Sequence, residues 1–394
     1  MTDNFVELDK SKQVNTRNLK MRILIPFLLL LIANQGTAQK LPLFDHPERM
    51  ELVAKAGFYI YNNEYKKADS VIEKVEKILY GHPVVHMMRA LNIAWQEMPI
   101  RTTSEVFPEH YDALQKVIES SQLLTDLDDK HREGIFFEMS ARGLLTEYYA
   151  EEGTYLKALG EARKMYALVK TGFDFVDDSP EFLFSTGLYN YFREKYPERH
   201  PIYKPFMWFF KSGDLELGLK QLHEATETGS LTKIEAHLYL SYIYLRYENN
   251  PVKAQYYLDR LVREYPKNSY FKAKLIECLV FQNNFSQALP HIEELKKSSD
   301  PYYKMSGLVN LGIYQEKKKA NTALAIGYYN DALRAGSHYL DKGLYYKSLC
   351  WLGLGRISQQ RGNNDEAEEY FKKAIAANES DLVTDEAKKR LKKL

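Results

Sequence analysis

The sequence predicts an all-α protein, a right-handed α-solenoid of about eight helical hairpins with an aromatic-rich insertion. Three observations carry that prediction. A small residue followed at fixed distances by larger apolar ones recurs at Ala68, Ala113, Ala158, Gly218, Ala254, Ala288, Ala325 and Ala367. The step from Ala254 to Ala288 is 34 residues, enough for one helix–turn–helix unit. Proline is scarce inside the proposed helices and common between them, because its ring removes an amide donor and blocks the preceding turn. Composition agrees: 394 residues, 45% hydrophobic and 13% aromatic, can bury a continuous core. With Lys+Arg 54 against Asp+Glu 53, a nucleic-acid binder acting through overall charge is excluded. Two cysteines exclude a disulfide framework and a four-cysteine zinc site.

Residues 1–38 read as a secretory signal peptide. Arg17, Lys20 and Arg22 precede an apolar run over residues 23–33, and Gly36-Thr37-Ala38 follows it. So short a run falls below the roughly 20 residues needed to span a bilayer as a helix, and small residues before Gln39 suit cleavage after Ala38. Met21 is a second candidate start, which would leave residues 1–20 upstream of the true one. The predicted address is the periplasm or the cell exterior; an uncleaved N-terminal anchor is the alternative. Without the five basic and three acidic residues of this segment, the mature chain carries 49 against 50. No later stretch is apolar enough to cross a membrane, so any association with the envelope is peripheral.

Residues 39–171 are expected to hold degenerate hairpins built on Ala68, Ala113 and Ala158. Residues 172–213 are the insertion, with thirteen aromatics and four prolines. Ser179-Pro180-Glu181 offers a cap, a first-position proline and an acidic first turn, so a helix runs from Glu181 to about Tyr196. A proline-punctuated loop and the apolar run 206–210 follow. Two readings stay open here. The aromatics plug the joint between the array halves, or some of them, Tyr189, Tyr191, Trp208 and Phe209, form a docking surface for a partner, a glycan or a membrane interface.

Residues 214–381 carry the clearest repeats. Trp351, Leu354 and Gly355 are followed by Gly362, then Ala367, Phe371 and Ala374. Small residues at Gly355 and Ala367 let two antiparallel helices approach, Trp351, Leu354 and Phe371 fill the space around them, and Gly362 makes the turn. Ala254-x3-Leu258-x2-Leu261, Ala288-x3-Ile292-x2-Leu295 and Leu311-Gly312 with Ala325, Tyr329 and Ala332 repeat the grammar. This pattern resembles the tetratricopeptide repeat (TPR) family of exported bacterial type. Residues 382–394 then form a capping helix, with Thr384 as its cap, acids in the first turn and lysines at the end.

The resemblance implies that first helices line a concave groove. On its family positions, Tyr239, Arg246, Tyr247, Tyr270, Glu277, Phe281 and Arg356 face a partner, together with Glu316, Lys317, Gln359 and Gln360. Tyr and Arg at such positions suit protein or peptide capture.

Little in the sequence points to chemistry. His82 and His86 share a helix face, but Pro83 and Val84 stand where a zinc protease needs its glutamate. No metal site, cofactor, nucleophile elbow or phosphate loop is expected. Cys278 and Cys350 fall two hairpins apart and are expected to be buried, reduced thiols. The predicted function is an exported TPR scaffold for protein–protein interaction, without catalysis and without nucleic acid. A glycan-binding surface protein is the alternative, and an αα-type glycoside hydrolase a further one. Burial of Tyr239, Tyr247, Tyr270 and Phe281 would count against a groove; a closed ring with opposed acids would favour the hydrolase.

Overall fold

Each small residue of the ladder lies in the second helix of a hairpin. The computed structural model describes residues 42–394, so the expected signal peptide lies outside the described residues. The hairpins are α1 (Pro47–Tyr61) with α2 (Tyr65–Ile78), α3 (Pro83–Gln96) with α4 (Phe107–Thr125), and α5 (Arg132–Glu151) with α6 (Tyr155–Gly172). Next come α7 (Glu181–Arg199) with α8 (Leu215–Thr228), α9 (Lys233–Arg246) with α10 (Pro251–Glu264), and α11 (Ser269–Phe281) with α12 (Phe285–Lys296). The last two are α13 (Pro301–Lys317) with α14 (Thr322–Ala335) and α15 (Leu344–Gln360) with α16 (Asn364–Ala377). A single helix, α17 (Asp381–Leu391), closes the array. Among the described residues there is no strand. The fold is an all-α solenoid of successive helical hairpins.

Local chemistry explains where the helices begin. Asp214, Asn250, Asn268, Asn284, Asp300 and Asn321 cap helices, each accepting a bond from a first-turn amide. Six hairpin turns place one residue in the left-handed region directly before the second helix's cap: Asn63, Gly153, Asn249, Asn283, Ala320 and Gly362. Asn and Gly tolerate that conformation. Ala320 is the exception, and it closes the turn that follows Lys317, Lys318 and Lys319.

Between α7 and α8 the chain makes a nine-residue 3-10 segment, Pro201–Phe209. Of residues 172–213, α7 packs along α8 as the first arm of the fourth hairpin. Gly187 and Gly218 set that approach: a Cβ on Gly218 would lie 2.7 Å from the Tyr191 amide nitrogen.

The core passes from hairpin to hairpin and ends where Val383 and Ala387 of α17 pack on Leu352, Ala367 and Phe371. That contact corrects one expectation. Helix α17 starts at Asp381, one turn before Thr384, so Thr384 is a buried helical residue rather than the cap. Cys278 and Cys350 are both free and buried.

The array also curls back on itself. Asn268 Nδ2 donates to the Tyr61 carbonyl (2.6 Å), Tyr303 OH to the Met98 carbonyl (2.7 Å), and Arg101 pairs with Glu379 at 2.8 Å. Trp95 fills the seam, with ring centroids 5.0 Å from Tyr61 and 5.3 Å from Phe271. His82 has a structural role at the same end. Its ring caps α3 through the Val84 amide, and Nε2 lies 2.7 Å from Glu133 Oε2. Glu133 Oε1 also accepts the Leu43 and Phe44 amides at 2.7 Å each, tying the segment before α1 to α5. Burial works against the Glu133 charge, but His82 and the two amides outweigh it and hold the carboxyl below its usual range. No group of metal-ligating side chains gathers among the described residues.

Candidate binding groove

The first helices form the inner wall of the curl. Tyr239 OH on α9 donates to Glu147 Oε2 on α5 at 2.8 Å, and Tyr345 OH on α15 donates to Glu277 Oε1 on α11 at 2.9 Å. Each bond skips one hairpin, which only the inside of a strongly curved array permits. Helical periodicity presents the lining. Glu235, Tyr239, Tyr242 and Arg246 share one face of α9, and Tyr270, Lys274, Glu277 and Phe281 repeat the same spacing on α11. The two rows run side by side, joined by the Arg246–Glu277 ion pair.

Polar and aromatic groups alternate along this wall. Lys274 Nζ lies over the Tyr270 ring and 3.6 Å from Glu277 Oε2. Burial, reinforced by neighbouring Arg246, pushes its ammonium down to about 8. On α5, Glu147 and Glu151 stand one turn apart and make no ion pair among the described residues. Surrounding protein, then Glu147, pushes the Glu151 carboxyl up to about 7, and the enclosing walls of the hollow also raise Glu147, despite the Tyr239 bond. A cleft of about 190 Å³ opens beside them, lined by Arg101, Tyr148, Glu151, Asp341 and Glu379.

The residues expected in the groove divide in two. Tyr239, Arg246, Tyr247, Tyr270, Glu277 and Phe281 lie together on or beside the α9 and α11 rows. Tyr239, Tyr247 and Tyr270 are half-buried, while Phe281 is 46% exposed. Arg199 lies over the Tyr247 ring at 4.5 Å. Arg356 does not belong with them. It is buried, bonded to both Glu316 carboxylate oxygens (2.6 and 2.7 Å) and to Glu386 (3.3 Å), because its face of α15 turns toward α13 and α17.

The insertion residues separate as well. Tyr191 is wholly buried and donates to Glu248 at 2.5 Å, which removes it from any docking surface. Tyr189 stacks on Tyr166 and bonds the Lys211 carbonyl. Trp208 and Phe209 are exposed. Glu147, Glu151, Tyr242, Lys274 and Tyr345 escaped the sequence reading. The repeated row spacing on α9 and α11 signals Tyr242 and Lys274; nothing in the sequence marks the acids of α5, whose hairpin lacks the Trp and Leu-Gly register residues.

Glu235 at the top of the α9 row makes a testable point. Tyr61 and Tyr265 face it: Tyr61 OH donates to its Oε1, Tyr265 lies within its field, and its Oε2 is buried without a partner. Burial pushes its carboxyl up to about 7. A raised carboxyl favours the folded state while protonated, and this contribution disappears as pH rises through about 7. Glu235→Gln is therefore expected to flatten the loss of thermal stability between about pH 4.5 and pH 7 and to add on the order of 3 kcal/mol above pH 7. Parallel melting curves of the two proteins that keep the same pH slope would count against it.

No protein-family model and no curated protein sequence matches the chain. Solved structures do. A human IFIT1 dimer with PPP-AAAA is 14% identical, with 81% of this chain and 70% of that one covered at a TM-score of 0.44. Yeast Tom70 is 13% identical, with 86% and 87% covered at 0.40. The C-terminal part of a TPR repeat-containing protein from Cytophaga hutchinsonii is 14% identical, with 85% and 98% covered at 0.27.

Proposed function

We propose that the chain is an exported scaffold that captures a protein or peptide segment in its concave groove and catalyses no reaction. The accessible aromatic row carries the reading. Tyr242 and Phe281 remain 47% and 46% exposed on a wall whose other faces are packed. Rings left on water beside Arg246, Lys274 and Glu277 are the composition of interface hot spots. Partner acids and bases would find complementary charges on neighbouring turns. Catalysis of glycoside cleavage would instead need two carboxylates flanking the scissile bond. Glu147 and Glu151 stand on one wall, one turn apart. Export rests on the signal-like segment before Gln39.

The mature chain, beginning at Gln39, should recover a protein partner from its own envelope fraction. The native protein purified from that fraction should itself begin at Gln39. Tyr242→Ala with Phe281→Ala removes only exposed rings and is expected to weaken capture by about tenfold or more. Recovery of glycan alone, or undiminished capture by the double variant, would overturn the proposal.

A further inference from the structure

The 3-10 segment Pro201–Phe209 turns the wrong way for a soluble surface. With three residues per turn, side chains three apart eclipse one another. One row, Tyr203 with Phe206 and Phe209, begins in the interior: Tyr203 is buried, edge-on to Tyr155 at 5.7 Å. The next row, Ile202, Pro205 and Trp208, faces water. Ile202 is 51% and Trp208 75% exposed. The ridge extends about 12 Å at about 2 Å per residue. Leu156 and Tyr155 at the start of α6 are exposed where Tyr155 meets Tyr203, and continue the apolar surface.

The ridge segment itself carries charge of one sign, with Glu198 and Asp214 just outside it. From Arg199 to Gly213 the chain contains no acid but holds Lys204 and Lys211, neither of which makes an ion pair among the described residues. Arg163 on α6 lies 3.8 Å over the Phe209 ring, and Phe209 stacks on Trp208 at 3.6 Å. The aromatic pair is thus braced from behind by a cation. A single file of side chains is far smaller than the roughly 1,000 Å² of a stable protein interface. It does match a shallow insertion at the headgroup–acyl boundary, where Trp and Phe partition and flanking lysines meet phosphates.

We propose that this ridge docks the protein peripherally on a bilayer bearing anionic headgroups. Ile202, Trp208 and Phe209 enter the interface while Lys204, Lys211 and Arg163 engage the phosphates. No helix among the described residues is long and apolar enough to cross a membrane, so the attachment is reversible and salt-sensitive. The groove stands on other helices, and the two roles are independent.

Residues 42–394 form a compact unit with their own cores, so the chain from Gln39 onward serves for the test and leaves the apolar leader out. Cosedimentation with vesicles of phosphatidylcholine alone and of phosphatidylcholine with phosphatidylglycerol is the measurement. Binding is expected on the second kind, weakened by salt, with Trp208 fluorescence quenched by brominated acyl chains. Trp208→Ala with Phe209→Ala should lower the partition about tenfold or more. Lys204→Glu with Lys211→Glu should remove the preference for phosphatidylglycerol, about fivefold for each lysine. Both pairs are surface changes, and unaltered circular dichroism would show the fold intact. Failure to bind either vesicle overturns the proposal, as does wild-type binding by the aromatic variant. A protein partner lost through the aromatic variant, with no vesicle binding by the parent, assigns the ridge to protein instead.

Discussion

Arg356→Ala should destabilise the C-terminal hairpins by about 3–5 kcal/mol, the penalty for stripping one partner from a buried ion pair. The guanidinium bonds Glu316 in bidentate fashion and reaches Glu386, while Tyr329 OH donates to Glu316 Oε2 at 2.6 Å. Helices α13, α14, α15 and α17 therefore meet at one charge. Removing it leaves the Glu316 carboxylate enclosed with a single phenol. Because a packed apolar pair is often no worse than a buried ion pair, Arg356→Met combined with Glu316→Leu should recover most of the loss. Urea unfolding, with hydrogen exchange to localise the weakened segment, separates these outcomes. An alanine variant as stable as its parent would mean that the pair is solvated and idle.

The second large effect is expected at Gly218. Its neighbours in the ladder are alanines, so the exchange looks innocent in sequence. In space, an added Cβ would lie 2.7 Å from the Tyr191 amide nitrogen and 2.9 Å from the Gly187 carbonyl oxygen. Both are backbone atoms of α7 and cannot swing aside. Helices α7 and α8 would have to part, and Tyr191, wholly buried beside them, would lose its packing. Gly218→Val should cost about 3 kcal/mol, and Gly218→Ala less. Gly327 on α14 is the control. No atom lies within 4 Å of its would-be Cβ, so Gly327→Ala should stabilise by about 1 kcal/mol through helix propensity. Equal effects at the two glycines would refute the close-approach explanation.

Much of the fold was readable because its signals are local. A small residue at a crossing point needs only its own helix to be recognised, and all eight ladder positions lie on second helices. Caps such as Asn250 and Asn284 are equally local. The groove was readable in part, since a family register placed the α9 and α11 rows. It failed at Arg356 because position along a helix does not say whether a side chain faces the hollow or the adjoining helix; only the carboxylate of Glu316, forty residues away, decides that. Thr384 failed for a similar reason: Val383 and Ala387 draw an extra turn into α17 through contacts made elsewhere. The acids of α5 gain their meaning from Tyr239, some ninety residues downstream. Tyr191 and Trp208 are both aromatic, and burial alone separates them.

The seam between the first hairpins and the later ones changes how such an array must behave. In an open array each unit leans only on its neighbours, so units fray singly from the ends and more can be appended. Here Tyr303 binds the Met98 carbonyl and Arg101 binds Glu379, contacts spanning two hundred residues or more. Such loops close late and slow the search for the native state. They also couple the termini, so that trimming α17 will be felt at α3, and melting should be one concerted event rather than a ripple. The number of hairpins is then set by geometry, because one unit more or fewer would leave the seam unmet.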